Sequence, residues 1–123
     1  MKPDVAPVLA EMAGLLVRNA DPSVDPADRA SALGLTAALM GFAAAAWDSQ
    51  AHNLFEENRE FRGVLGLAGA DEDLRISALS AENARLRQAL IEAQARAESE
   101  DPTLAEAIWA VLRASTERWM VPG

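Results

Sequence analysis

Glu57-Asn58-Arg59-Glu60-Phe61-Arg62-Gly63-Val64-Leu65 is echoed further along the chain by Glu82-Asn83-Ala84-Arg85-Leu86-Arg87-Gln88-Ala89-Leu90. Both stretches read Glu-Asn, two residues, a bulky apolar residue, Arg, one residue, a small apolar residue and Leu. Each lies in a longer apolar seam. Steps of four and three through the first give Leu33, Ala37, Met40, Ala44, Trp47, Ala51, Leu54, Asn58, Phe61 and Leu65. The same rule through the second gives Ile76, Leu79, Asn83, Leu86, Leu90, Ala93 and Ala97. These are stripes of the a/d type that pack helix against helix, with one asparagine set into each.

Gly66-Leu67-Ala68-Gly69 separates the two seams and ends the first helix. A short glycine-rich turn makes consecutive helices antiparallel neighbours. Folding the chain there pairs Leu65 with Ile76, Phe61 with Leu79, Asn58 with Asn83, Leu54 with Leu86 and Trp47 with Ala93. The two asparagines then share one layer, each carboxamide able to donate to the other. A lone buried amide costs about 1–3 kcal/mol when unpaired, so the pairing fixes register rather than adding stability. The likeness of the two phrases is no proof of duplication, because Glu, Arg, Ala and Leu dominate helical sequences.

The remaining elements follow from breakers and caps. The first helix runs from about Asp4 to Asn19, with Pro7 tolerated in its first turn. Asp21-Pro22-Ser23 stops it, and Asp25-Pro26 starts a second helix that the pattern carries to about Leu65, with a bend near Gly34 or Gly41. Asp71-Glu72-Asp73 opens a third helix, reaching about Ser99, with acids placed where the helix dipole favours them. Asp101-Pro102 starts a fourth, ending near Met120 before Pro122. No segment alternates as a strand does. The expectation is one all-α domain over residues 1–123: a four-helix bundle with a long central second helix and an antiparallel pairing of helices two and three.

Bulk composition narrows the function. Half of the 123 residues are hydrophobic but only 5% are aromatic, and the formal charge is −8. An acidic chain lacks the clustered Lys and Arg that a nucleic-acid backbone or an anionic membrane surface requires, so neither is expected as partner. Cysteine is absent, which removes disulfides and thiolate chemistry and suits a cytoplasmic setting. The N-terminal stretch lacks a secretory pattern, since Asp4 and Glu11 interrupt the apolar run. Ala30 to Trp47 carries no charge, but its alanines and glycines make it a poor membrane span, so a buried helix is expected.

That helix is apolar nearly all round, and the first and last helices are also greasy. Leu104, Ile108, Val111 and Trp119 form one stripe of the last helix, with Trp109 on an adjoining one. A second subunit would cover the excess, and two-fold homodimers are the common solution. Phe42, Trp47, Trp109 and Trp119 are the candidates for such an interface or for an apolar ligand site.

Candidate chemistry is sparse. Asp48, His52 and Glu56 lie at i, i+4 and i+8, a spacing that aims three side chains from one helix face at a common ion. A di-metal bundle needs Glu-x-x-His motifs from two helices, and no such pair occurs. There is no G-x-S-x-G elbow and no phosphate loop. No cofactor is implied. The reading is a non-catalytic helical accessory or protein-interaction subunit; the alternative is a carrier or sensor for a small apolar ligand, and the third is a metal-dependent enzyme.

Overall fold

The computed structural model describes residues 4–120, which form five α-helices with no strand among them. These are α1 (Val5–Asn19), α2 (Pro26–Trp47), α3 (Gln50–Leu65), α4 (Ile76–Glu100) and α5 (Pro102–Arg118). Pro122 lies outside the described residues. The chain divides into two compact units, one up to Gln50 and the other from Ala51 onward.

The expected long second helix is two helices. α2 passes unbroken through Gly34 and Gly41 and stops at Trp47, with Asp48 as its C-cap and Ser49 donating to the carbonyl of Ala46 at 3.3 Å. Asp and Ser compete for backbone hydrogen bonds and are poor in helix interiors, so Asp48-Ser49 is the weak point of the run. The break also has a local use. Gln50 is buried, and its Oε1 accepts the backbone N–H of Val5 at 3.4 Å, satisfying a donor that Asp4 leaves uncapped at the start of α1.

In the first unit α1 and α2 form an antiparallel hairpin, Val5 and Val8 at the start of α1 packing on Ala43 and Ala46 near the end of α2. Asp25 caps α2 by accepting from Ala27 N at 2.8 Å, with Pro26 at the first helical position. Arg29 reaches back to donate to the carbonyls of Asn19 at 3.0 Å and Asp21 at 2.9 Å, closing the open end of α1. Little of α2 is covered. In its most apolar stretch only 17% of the residues are buried, so the expectation of a buried helix fails within this chain.

In the second unit α3 ends as a Schellman motif: Gly66 takes φ +68°, Leu67 N donates to Arg62 O at 2.9 Å and Gly66 N to Gly63 O at 3.3 Å. The third predicted helix starts late. Residues 66–75 have no regular structure, and α4 begins only at Ile76. The acids expected in its first turn serve elsewhere: Asp71 binds Asn58 and Arg62, while Asp73 accepts from the backbone and guanidinium of Arg75.

This connection reverses the expected pairing. Leu54 clusters with Leu79, flanked by Ala51, Phe55 and Ile76, whereas Phe61 clusters with Leu86 and Leu90, flanked by Val64 and Leu65. The N-terminal ends of α3 and α4 therefore lie together, and the two helices run in the same direction. An extended connection of this length spans up to roughly 33 Å, and α3 is only about 24 Å long. The chain thus returns to the start of α3 before α4 begins. A tight turn would have imposed the antiparallel arrangement; this one does not. α5 then descends against both, Ile108 beside Leu90 and Ala93, Trp119 beside Leu79. Its start follows the cap signal, Asp101 accepting from Leu104 N at 3.1 Å with Pro102 first in the helix. Fully buried Phe61, Leu86, Leu90 and Ile108 form the main core, each worth about 2 kcal/mol of transfer free energy.

Candidate functional site: a buried carboxylate between two matching helices

Parallel α3 and α4 bring the two Glu-Asn phrases side by side in register. Asn83 Nδ2 donates to Asn58 Oδ1 at 2.9 Å, with both residues fully buried; the return bond is not made, because Asn58 Nδ2 is taken by Asp71 and Leu79 O. The flanking charges then cross reciprocally. Arg87 of the second phrase donates to Glu57 of the first at 2.6 Å, and Arg62 of the first to Glu82 of the second at 3.2 Å. With Asn at an a position, Glu precedes it at g and Arg follows the next d residue at e. This reciprocal g-to-e pairing around a shared Asn layer is how parallel coiled coils specify register. The two phrases are one recognition element used twice about a local two-fold.

Local symmetry is broken by what each carboxylate meets. Glu57 has no exposed surface. Its Oε1 accepts from Arg87 and, at 3.0 Å, from Asn83; its Oε2 accepts from Trp119 Nε1 at 2.8 Å and Arg118 at 3.4 Å. Ser115 also bonds it, and accepts from Arg87 at 3.0 Å. Burial pushes the Glu57 pKa up, but the bonds from Ser115, Asn83 and Trp119 and the charge of Arg87 outweigh it and hold it at about 2. Arg118 bridges onward to Glu60 at 2.7 Å, and the Arg87 guanidinium lies 5.2 Å from the centre of the Phe61 ring.

The second half of the element is more open. Asp71, from the connection, accepts from Asn58 at 3.1 Å and from Arg62 at 2.6 Å. Its bond raises the Arg62 pKa against the effect of burial. Arg85 holds the half-buried Glu82 carboxyl below its usual range, opposed by burial and assisted by Arg62. Asn58 also donates to the carbonyl of Leu79 at 3.1 Å. Asn83 Oδ1 is a buried acceptor with no hydrogen-bond partner among the described residues.

Chemically, this is a lock. A carboxylate held near pKa 2 and surrounded by donors is a poor proton acceptor for catalysis near neutrality. What it does well is tie α3, α4 and the end of α5 together, since each contributes a group that would otherwise be buried unpaired.

The other candidate residues fare differently. The break at Asp48-Ser49 ends the continuous helix on which Asp48, His52 and Glu56 would share a face. Asp48 is the exposed C-cap of α2, His52 is exposed on α3, and Glu56 pairs with Arg59 at 2.6 Å. No group of three or more His, Cys, Asp or Glu suited to a metal occurs among the described residues. Phe42 and Trp47 belong to the α1–α2 hairpin, Phe42 half-buried and Trp47 66% exposed. Trp109 lies exposed on α5, whereas Trp119, expected on an apolar surface, is buried with its indole N–H on Glu57.

Glu57, Arg87, Ser115, Arg118 and Asp71 were not among the expected site residues. For the first two the signal was present: Glu before each Asn, and Arg after each bulky apolar residue, are the g and e positions of a parallel pair. Comparison of the chain with protein-family models, curated proteins and solved structures gives no match.

Proposed function

We propose that the protein is a non-catalytic interaction subunit whose α1–α2 hairpin offers an apolar helical face to a protein partner, while the α3–α5 unit supplies a rigid body. One observation carries this reading. The first half of the a/d seam, Leu33, Ala37, Met40, Ala44 and Trp47, is exposed along its whole length. Between Arg29 and Asp48 α2 carries no charge to solvate it. An uninterrupted apolar stripe of that length marks an association surface rather than ordinary scattered exposure.

Two shallow grooves bear on the alternative of a carrier. One, of about 180 Å³, lies between α1 and α2, and the other, of about 220 Å³, is lined by Ala51, His52, Phe55, Leu74 and Leu79. Ligand sites commonly enclose roughly 300–1,000 Å³, so these hollows suit a docked side chain better than an enclosed molecule. By length and composition α2 is also sufficient to cross a membrane, which makes lipid the competing occupant of the stripe.

The test is native mass spectrometry and sedimentation of the wild type beside Met40→Glu, with flotation on phosphatidylcholine vesicles. The expected result is an assembly of defined stoichiometry that Met40→Glu abolishes while helicity by circular dichroism is kept. A bare monomer, or a chain that floats with the vesicles, overturns the reading.

A further inference from the structure

Resting on that reading of the hairpin as an association surface, we infer that its partner is a second copy of this chain. The two α2 helices pack antiparallel, and Trp47 of each enters the groove between α1 and α2 of the other.

Along its exposed stripe α2 alternates small and large: Ala30, Leu33, Ala37, Met40, Ala44, Trp47. Reversing that order exchanges large for small at every step. An antiparallel copy set with Ala30 opposite Trp47 therefore also sets Leu33 opposite Ala44 and Ala37 opposite Met40, and two-fold symmetry repeats each layer. Every layer holds one large and one small side chain, the condition for filling the space at native density. A parallel pairing in register would stack Trp on Trp and Ala on Ala, overfilling some layers and leaving voids in others. Shifting the antiparallel register by one heptad keeps the alternation but loses layers at the ends. The pattern is self-complementary in one arrangement, as a two-fold interface requires.

Geometry agrees with this. At about 100° per residue, the stripe lies roughly a quarter-turn around α2 from Thr36, Ala43 and Ala46, which are buried in the hairpin. A helix in a four-helix bundle has its two neighbours at just such an angle. On α1 the exposed Leu9 and Leu16 fall on the same side of the hairpin as the stripe, and the groove between the helices is lined by Leu16 and Leu33 together. With α2 about 33 Å and α1 about 22 Å long, each about 10 Å across, the hairpin offers a face on the order of 550 Å², which over two partners passes the roughly 1,000 Å² total that a specific interface needs. Two such hairpins make a four-helix bundle.

The groove gives the pairing its anchor. It lies at the Arg29–Leu33 end of α2, the level that Ala30 occupies and that Trp47 of the second copy reaches in this register. Its volume of about 180 Å³ and its lining of Leu15, Leu16, Ala32 and Leu33 beside Asn19 and Arg29 suit an indole, apolar along its walls with polar groups at the rim. Trp47, 66% exposed in the single chain, is the largest side chain on the stripe.

The chain has no cysteine, so single-cysteine variants report cleanly. Leu33→Cys and Ala44→Cys proteins are prepared separately, mixed, and oxidised mildly. The mixture is expected to give a disulfide-linked dimer, and neither variant alone is. Like residues would lie about 16 Å apart along the axis, beyond the roughly 7 Å between Cα atoms that a disulfide spans. Trp47→Ala, at an exposed position that leaves the fold intact, is expected to weaken dimerisation at least tenfold by sedimentation. Cross-linking of Leu33→Cys to itself, or undiminished dimerisation of Trp47→Ala, overturns the inference but leaves the broader reading standing. So does an assembly containing a different polypeptide. A bare monomer overturns both.

Discussion

Arg87 of α4 donates to Glu57 of α3 at 2.6 Å, and the carboxylate it meets has no exposed surface. A buried charge is tolerable only while its partners remain, and here the partners come from α4 and from the far end of α5. Glu57→Gln keeps the shape of the side chain but removes the charge from beside Arg87 and Arg118. The expected cost is about 3–5 kcal/mol of unfolding free energy, the range for breaking a buried ion pair from one side. Urea denaturation followed by circular dichroism measures it. A cost below 1 kcal/mol would mean that the network carries little of the stability.

The same carboxylate sets an acid limit. Its folded pKa of about 2 lies below the ordinary value of 4.5. The folded state therefore binds its proton less readily than the unfolded one. The resulting stability is fully present above about pH 4.5 and drains away as the pH falls towards 2. Integrated over that window the loss from this group is on the order of 3 kcal/mol. Denaturation midpoints taken between pH 6 and pH 2.5 should fall steeply in the wild type and less so in Glu57→Gln. Parallel curves for the two proteins would assign the acid sensitivity to other carboxylates.

Asn58 and Asn83 share a layer, yet neither serves only the other. Asn83 also donates to Glu57, and Asn58 also donates to Asp71 and Leu79 O. Either single change to Leu strands a buried amide and withdraws a donor from a carboxylate, so each is expected to cost about 2–4 kcal/mol. The double variant removes the stranded amide but not the loss at Glu57 and Asp71. Its cost should thus fall below the sum of the singles by at least 1 kcal/mol, while remaining above zero. Strict additivity in the double-mutant cycle would show that the two amides are energetically independent.

How far the sequence could be read depended on the distance over which each signal acts. Caps are local: Asp25-Pro26 and Asp101-Pro102 start helices where the residues say they should, because a side chain two or three positions away decides the matter. The asparagine layer was also legible, since a polar residue in an apolar stripe demands a partner and only one matching residue was available. Helix direction was not. An Asn58–Asn83 pair is compatible with either sense, and the choice lay in whether residues 66–75 form a tight turn or an extended return. Asp71-Glu72-Asp73 resembled a helix start because the acids that suit a helix dipole are the same acids that bind Arg62 and Arg75. Arg118 and Trp119 were beyond reach, because their role is defined by a residue some 60 positions earlier that only the folded chain brings near. The continuous seam from Leu33 to Leu65 misled most: its periodicity survives the break at Asp48-Ser49, but its two halves have different fates, one exposed and one buried.

Gly66 ends α3 with a φ of +68°, and a Cβ built there would meet nothing within 4 Å. Gly66→Ala therefore costs backbone strain alone, about 1–2 kcal/mol. Gly63→Ala, at an open helical position of ordinary φ, should instead stabilise by about 0.5–1 kcal/mol. Opposite signs for the two substitutions in thermal melts would verify the left-handed cap, and equal signs would refute it.

The sharpest test of the parallel arrangement uses the connection itself. Residues 66–75 must carry the chain back along α3, and fully extended they reach roughly 33 Å against a helix of about 24 Å. Removing the exposed Ala68, Gly69 and Ala70 leaves a reach of about 23 Å, with none to spare for the detour that places Asp71 against Asn58 and Arg62. The deletion is expected to disrupt the α3–α4 pairing and lower the melting temperature of that unit by 10 °C or more, about 2 kcal/mol in a domain of this size. Inserting three Gly-Ser residues at the same place should cost less than about 1 kcal/mol, because loop-closure entropy grows only slowly with length. An antiparallel hairpin would show the reverse sensitivity, tolerating the shorter turn. Comparable melting of the deletion and insertion variants would therefore rule out a parallel pair.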